Sequence, residues 1–349
     1  MRNKIIESDL KYIANGNLPW ENFIDKTILI TGASGFIPSY LVDTFLYLNE
    51  TKDFNIKIIG LVRNINNARS RFDYALDNKK LVFMEQDVCE DIVLDEKLDY
   101  IIHAASNATP KVFANDPVGT ILPNTLGTKN LLSLAVKQKV NCFIFVSSSG
   151  VHGFVKDSDY PIKEDCIGIL NPMDLASCYL ESKKMGENMC VAWKHQYDVP
   201  VKIIRPAATY GPGIKLDDGR SFADFISCIV NNRDIVIYSD GSAIRNYCYI
   251  ADAVLGFFIV MLNGVNGEAY NIATDQEISI KDLAHHLVTD VFPEKNLKVI
   301  MRKDPTKDFL RMNFTRSTVD ISKVKRLGWK LSFSISEGFK RVIQSFDKN

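Results

Sequence analysis

The stretch Thr27-Ile28-Leu29-Ile30-Thr31-Gly32-Ala33-Ser34-Gly35-Phe36-Ile37-Pro38-Ser39 decides how the rest of the chain is read. Its first five residues are a short apolar run, the pattern of a strand buried on both faces in a parallel sheet. Two glycines follow, then a helical pattern to about residue 48. Strand, glycine turn and helix, in that order, are the context in which a glycine motif carries meaning. Gly32 permits the tight turn. Gly35 lets backbone N–H groups approach a pyrophosphate at the helix N-terminus. The usual third glycine is absent. Pro38 is tolerated in the first helical turn, where its missing N–H has no intrahelical partner, and Ser39 is small enough to keep the helix close to the sheet. Gly32, Ser34, Gly35, Phe36 and Ile37 are therefore expected against a dinucleotide.

Residues 56–62, 81–88, 99–106 and 141–149 repeat the buried-strand pattern, with helical patterns between them. The second strand ends without the carboxylate that grips the ribose 2′-hydroxyl of NAD. The chain runs Arg63-Asn-Ile-Asn-Asn-Ala-Arg69-Ser-Arg71 instead. Arg63 is placed to meet the 2′-phosphate of NADP, to stack on adenine, or to lie solvated, and NADP is not excluded as cofactor. Asp87 and Val88 end the third strand near the expected adenine. Ala104, Ala105 and Ser106 end the fourth and suit close passage beside the cofactor, while His103 reads as a satisfied strand-end histidine. Asn124-Thr-Leu-Gly127-Thr is expected to open a long helix to about residue 137. The fifth strand ends in Ser147, Ser148 and Ser149. This alternation predicts an α/β fold, a Rossmann-type doubly wound parallel sheet that binds ligands beyond the C-terminal ends of its strands.

Further on, Tyr179-Leu180-Glu181-Ser182-Lys183 lies in a helical pattern over residues 177–197. Tyr179 and Lys183 are four apart and share one helical face. A phenol alone is a poor base, and a neighbouring ammonium is expected to move its pKa toward neutrality. The pair reads as a proton-transfer device.

With 349 residues the chain is long enough for a full core. Its 42 basic and 42 acidic residues balance, with no basic block or polybasic tail to suit nucleic acid or a membrane surface. Seven scattered cysteines without a C-x-x-C fit reduced thiols in the cytoplasm, and no metal is expected. The apolar run over residues 253–262 is too short to span a bilayer, which takes about 20 residues.

The ordered motifs Thr31-Gly-Ala-Ser-Gly-Phe-Ile, His103-Ala-Ala-Ser, Asn124-Thr-Leu-Gly-Thr, Val146-Ser-Ser-Ser-Gly-Val-His-Gly153, Tyr179-x-x-Ser-Lys183-x-x-x-Glu187 and Arg205-Pro-x-x-x-Tyr-Gly-Pro212 resemble the extended short-chain dehydrogenase/reductase family. The likeness runs from about residue 26 to 339 and is strongest to its sugar-nucleotide epimerases, dehydratases and UDP-glucuronate decarboxylases. It implies an enzyme that uses NAD and acts on a nucleoside-diphosphate sugar in polysaccharide precursor synthesis. Tyr179 would take a sugar hydroxyl proton at C4, Lys183 would lower its pKa and hold the nicotinamide ribose, and Ser148 would hydrogen-bond the reacting oxygen. Ser149 and Asn124 would line the sugar site. Arg245, in a segment like the decarboxylases' diphosphate-binding stretch, would meet the substrate pyrophosphate; Arg220 would meet a phosphate or a carboxylate on the sugar. Residues 1–25 read as a helical extension, with Leu10, Ile13 and Ala14 helically spaced; the resemblance implies 26–205 with about 248–274 as the Rossmann domain, and 206–247 with 275–349 as a smaller α/β C-terminal substrate domain. It implies a homodimer through helices near 119–137 and 177–197, the second carrying Met185, Met189 and Trp193.

The chain departs from the family after Ser148. Dehydratases carry Asp-Glu there and decarboxylases Ser-Glu; this chain has Ser149-Gly150. Glycine cannot replace an acid/base, so C4 oxidation is what survives, as a 4-epimerase or a 4-dehydrogenase. Decarboxylation or 4,6-dehydration is the alternative, and a catalytically silent dinucleotide-binding regulator or an NADPH-dependent reductase of small carbonyls are further ones. The usual tyrosine of the Tyr-Gly pair is His152, read as packing.

Overall fold

The computed structural model describes residues 2–302 and 314–347. Seven parallel strands form its central sheet: β1 (Thr27–Thr31), β2 (Lys57–Val62), β3 (Leu81–Glu85), β4 (Tyr100–His103), β5 (Cys142–Val146), β6 (Val201–Pro206) and the late strand Ala269–Ile272. Their order is Ala269–Ile272, β6, β5, β4, β1, β2, β3, with every neighbour parallel. From β1 the chain winds outward to β3, then restarts on the other side at β4. The reversal leaves a crevice above β1 and β4, where such sheets bind ligands.

The helices are α1 (Lys4–Ala14), α2 (Phe36–Lys52), α3 (Ile65–Arg71), α4 (Pro110–Asn115), α5 (Pro117–Leu122), α6 (Thr128–Gln138), α7 (Cys178–Tyr197), α8 (Ser221–Val230) and α9 (Ile250–Asn263), followed by shorter ones and Ile335–Gln344. Because strand side chains alternate, β1 sends Ile28 and Ile30 into one core with α1, α2 and α9. It sends Leu29 into the other, with Leu131 and Leu132 of α6 and Cys190 of α7. Both faces are covered, which is why the strands read as unbroken apolar runs. The apolar run over residues 253–262 belongs to α9, nearly all buried in the first core. No helix among the described residues is long and apolar enough to cross a membrane.

The helix expected to open at Asn124 starts earlier. Asp116 caps α5 by accepting from the Gly119 N–H at 2.9 Å, with Pro117 in its first turn. A wide π-type turn, Pro123–Gly127, then leads into α6. Pro123 lacks an N–H, which loosens the ladder at this point. Gly127 is packed so tightly that an added Cβ would stand 2.8 Å from Val88 Cγ1.

After Pro206 the chain builds small sheets: Ala208–Tyr210 with Tyr247–Tyr249, Ile235–Ile237 with Val299–Met301, and Ile244–Arg245 between Ile278–Ser279 and Arg316–Ser317. Helix α1 is wedged into the core rather than appended, with Ile6, Leu10, Ile13 and Ala14 buried. Its Asp9, fully buried, accepts from Tyr249 Oη at 2.8 Å, Tyr40 Oη at 3.2 Å and Arg341 Nη2 at 2.5 Å. One carboxylate thus ties α1 to α2, to Tyr247–Tyr249 and to Ile335–Gln344. Burial pushes its pKa up to about 6 despite the arginine. Removing one partner of a buried charged network leaves the others unsatisfied, at about 3 kcal/mol. Asp9→Ala is expected to lower unfolding stability by about that amount in urea titration; a change within about 0.5 kcal/mol would show that α1 is a passive extension.

Candidate active site

The glycine turn shows why its residues are needed. Gly32 has φ +65°, and a Cβ there would lie 2.9 Å from Ala105 Cα. Only glycine allows this approach of the β1 turn to the end of β4. Ala104 and Ala105 both donate their N–H to Thr31 Oγ1, at 3.2 and 3.1 Å. Gly35 is exposed and opens α2 with no side-chain cap, leaving the first N–H groups of the helix available beside half-buried Ser34, Phe36 and Ile37. Ser106 Oγ is buried with no hydrogen-bond partner. Close-fitting glycine, uncapped helix start and orphaned hydroxyl fit a dinucleotide. Val88 is buried against Gly127, and Asp87 accepts from the Cys89 N–H at 2.8 Å. Arg63 is exposed and donates to Asn107 Oδ1 at 3.1 Å.

His103 and His152 are both buried and hydrogen-bonded. His103 is buried, with Nδ1 on Thr31 Oγ1 at 2.9 Å and Nε2 on Pro123 O at 3.0 Å; burial holds its pKa down, to about 3. His152 is buried on Cys166 O at 3.2 Å and Asn271 Oδ1 at 3.3 Å, and burial lowers its pKa too.

Helix α7 brings the proton-transfer residues to the end of β5. Ser148 hydrogen-bonds the Tyr179 phenol, and the Arg220 guanidinium acts on the same phenol through space. Lys183 is buried and donates from Nζ to Val146 O at 2.6 Å. The expected effect of Lys183 on Tyr179 needs correction. Burial holds the phenol above its ordinary value, and the groups that pull it down are Ser148 and Arg220. Lys183 Nζ lies 6.0 Å from the Tyr179 ring centroid, and burial lowers its own pKa to about 7, so much of its charge is gone near neutrality.

Glu187, one turn beyond Lys183, was legible as part of a motif but carried no role. It accepts from Ser147 Oγ at 2.5 Å and from Arg205 Nε and Nη2 at 2.9 and 2.7 Å. Arg205 Nη1 also donates to Glu164 O at 2.8 Å. This clamp joins α7 to the ends of β5 and β6, and Glu187 partly offsets the burial of Lys183.

Gly150 lies in the turn after Ser148, beside half-buried Ser149. A Cβ at 150 would stand 2.7 Å from Leu180 Cδ2, so the buried Leu180 fills the space a larger residue would occupy. Asn124, expected at the sugar, is fully buried; its Nδ2 donates to Thr120 O at 3.1 Å and Ser182 Oγ at 2.9 Å. Its Nδ2 ties the π-type turn to α7, while its Oδ1 is buried without a hydrogen-bond partner. Arg220 is held bidentately by Asp218, at 2.5 and 2.9 Å. Arg245 donates to Ile244 O at 2.8 Å and Phe314 O at 2.9 Å, has no carboxylate partner among the described residues, and is lowered in pKa by burial. Among the described residues no cluster of three His, Cys, Asp or Glu is placed to hold a metal.

The model of the NAD dependent epimerase/dehydratase family matches residues 28–273, and the chain belongs to that family. UDP-glucuronic acid decarboxylase 1 of Arabidopsis thaliana is 30% identical over 322 residues, covering 91% of this chain and 69% of that protein. The UDP-glucose 4-epimerase of Thermotoga maritima, solved with UDP-glucose, superposes with a TM-score of 0.77 at 24% identity, over 92% of this chain and 98% of that one. The UDP-glucuronic acid 4-epimerase of Bacillus cereus, solved with UDP-glucuronic acid and NAD, gives 0.76 at 22%, over 91% and 98%. The two structures share the Rossmann-type fold. The chain is thus an NAD-dependent enzyme of the epimerase/dehydratase type.

Lys183 sets a pH-dependent stability. Its folded pKa, about 7, lies below the ordinary value of 10.5. Its contribution is therefore present above the unfolded value and lost as pH falls through the folded one. Lys183→Met is expected to raise the melting temperature over the parent by several degrees more at about pH 6 than at about pH 9. An equal difference at both pH values would mean that Lys183 stays charged throughout.

Proposed function

We propose that this member of the NAD-dependent epimerase/dehydratase family oxidises the C4 hydroxyl of a nucleoside-diphosphate sugar without removing carbon. It would act as a 4-epimerase or as a dehydrogenase releasing a 4-keto sugar. The observation that carries the reading is Ser148 on Tyr179 beside Lys183, with Gly150 and Leu180 where an acid/base would stand. The proton of the sugar hydroxyl passes to Tyr179 Oη, while Ser148 Oγ hydrogen-bonds the same sugar oxygen. Ser148 and Arg220 lower the cost of the phenolate, and Lys183 adds positive charge whenever it is protonated. Bound NAD would take the hydrogen and its electron pair from the same carbon. Gly32, Ser34, Gly35, Phe36, Ile37, Asp87, Val88, Ala104, Ala105 and Ser106 would hold the cofactor. Ser149 would border the sugar.

The nucleotide end rests on Arg245. A part-buried guanidinium without a carboxylate partner is stabilised by a diphosphate, which it can meet with two parallel hydrogen bonds. The decarboxylase and 4-epimerase names among the relatives make UDP-glucuronic acid the first sugar nucleotide to try. Decarboxylation remains the second reading, favoured by the identity to the Arabidopsis enzyme and opposed by Gly150. Seven unpaired cysteines suit the cytoplasm.

A homodimer is part of the proposal. Helices α5 and α7 pack together and expose Val118, Ile121, Leu122 and Met185 on their outer side, with Leu126 in the turn between α5 and α6. Met189 and Trp193, one and two turns further along α7, are half-buried and pack against the core. A second copy would cover the exposed side chains in a four-helix arrangement. Light scattering is expected to give twice the chain mass; a monomer would remove the idea.

With NAD and UDP-glucuronic acid, mass spectrometry is expected to find a product that keeps every carbon, as an isomer or as a sugar two hydrogens lighter. Tyr179→Phe should cut turnover by about a thousandfold with the fold intact. Full turnover in that variant would overturn the assignment.

A further inference from the structure

In sheets of this kind a carboxylate at the end of the second strand grips the cofactor's adenosine ribose through its 2′-hydroxyl, and an arginine there accommodates a 2′-phosphate. Here Arg63 directly follows β2, and residues 63–71 contain neither Asp nor Glu. Its contact partner makes the substitution informative. Arg63 Nη2 donates to Asn107 Oδ1 at 3.1 Å. Asn107 follows β4, which flanks β1 on the side away from β2. The side chain therefore reaches across the C-terminal end of β1, over the crevice into which the glycine turn opens. Asn107 is itself anchored, donating to Gly119 O at 3.0 Å. Next to it, Ser106 Oγ is the buried hydroxyl without a partner.

The charges around Arg63 leave it available. Among the described residues no carboxylate lies within ion-pair distance of it. Strand β3 brings two carboxylates to this end of the sheet. Glu85, paired with Val62 in register, accepts from the Ile65 N–H at 2.9 Å. Asp87 accepts from the Cys89 N–H at 2.8 Å. Both hold backbone in place. The charged group reaching into the crevice from the end of β2 is thus a cation, where an NAD-selective site presents an anion.

We infer that Arg63 binds a phosphate on the 2′-oxygen of the adenosine ribose, so that this chain takes NADP(H) as well as NAD(H). A planar guanidinium can meet such a phosphate with two parallel hydrogen bonds, and the Asn107 contact is a single neutral one that it can exchange. The inference concerns the cofactor alone and stands whether or not the sugar chemistry proposed above is right.

The test is calorimetric titration of the purified protein with adenosine 2′,5′-bisphosphate and with 5′-AMP, two probes that differ only in the 2′-phosphate. The bisphosphate is expected to bind about tenfold more tightly. Arg63→Ala should abolish that preference while leaving 5′-AMP within about twofold, and Arg63→Lys should restore part of it through charge without the fork. Equal binding of the two probes to the parent protein would overturn the inference, as would a preference that survives Arg63→Ala. Equal weakening of both probes in that variant would show that Arg63 serves the adenosine itself, and would also overturn it. Titration with NADH and NADPH, read by the fluorescence of the reduced nicotinamide, is an independent check: both should bind, and exclusion of NADPH would contradict the assignment.

Discussion

The candidate site depends on where α7 sits, and α7 is held by one carboxylate. Glu187 takes hydrogen bonds from Ser147 and from two nitrogens of Arg205, which fixes the helix against the ends of β5 and β6. Ser147 adjoins Ser148, and Glu187 is one turn from Lys183 and two from Tyr179. The same anion therefore sets the register of all three proposed reacting groups. It also lies close enough to Lys183 to offset part of the burial that drives its pKa down. Such a cluster is costly to desolvate, and it is retained here because each of its members finds a partner.

Much of this was legible in the chain. The apolar run over residues 27–31, its glycine turn and the strands that follow determine the winding of the sheet, because parallel strands buried on both faces leave a strong pattern. The sharing of one helical face by Tyr179 and Lys183 follows from helical periodicity alone. What was not legible depends on contacts between residues far apart in sequence. Leu180 filling the space beside Gly150 is such a contact. So is the burial that lifts the Tyr179 phenol and lowers the pKa of Lys183, against the simpler expectation of an ammonium helping a phenolate. Asn124 opens a motif, but that its Nδ2 joins two stretches of helix while its Oδ1 is left without a partner follows only from the fold. The Glu187–Arg205 pair lay inside two recognised motifs, yet no local spacing says that residues 18 apart will meet.

The relatives and the site pull in different directions, and the tension sits at one position. Identity over most of the chain points to UDP-glucuronic acid decarboxylases, while Gly150, with the Leu180 side chain packed beside it, brings no assisting carboxylate. Fold-level likeness does not decide between these outcomes, since epimerases and dehydratases share the architecture. The chemistry must be read from the groups that touch the sugar. The groups proposed to meet it can move a proton on and off one oxygen, and the turn after Ser148 brings no carboxylate.

The most direct test follows a label. UDP-glucuronic acid deuterated at C4 would be incubated with the protein and NAD, and the deuterium located by mass spectrometry in sugar and cofactor. The account predicts that the deuterium leaves C4, to reappear on an isomeric sugar or to remain on the cofactor beside a 4-keto sugar, with the carboxylate retained in either case. Release of carbon dioxide into a pentose product would contradict it. So would a sugar that exchanges nothing at C4 while other chemistry proceeds.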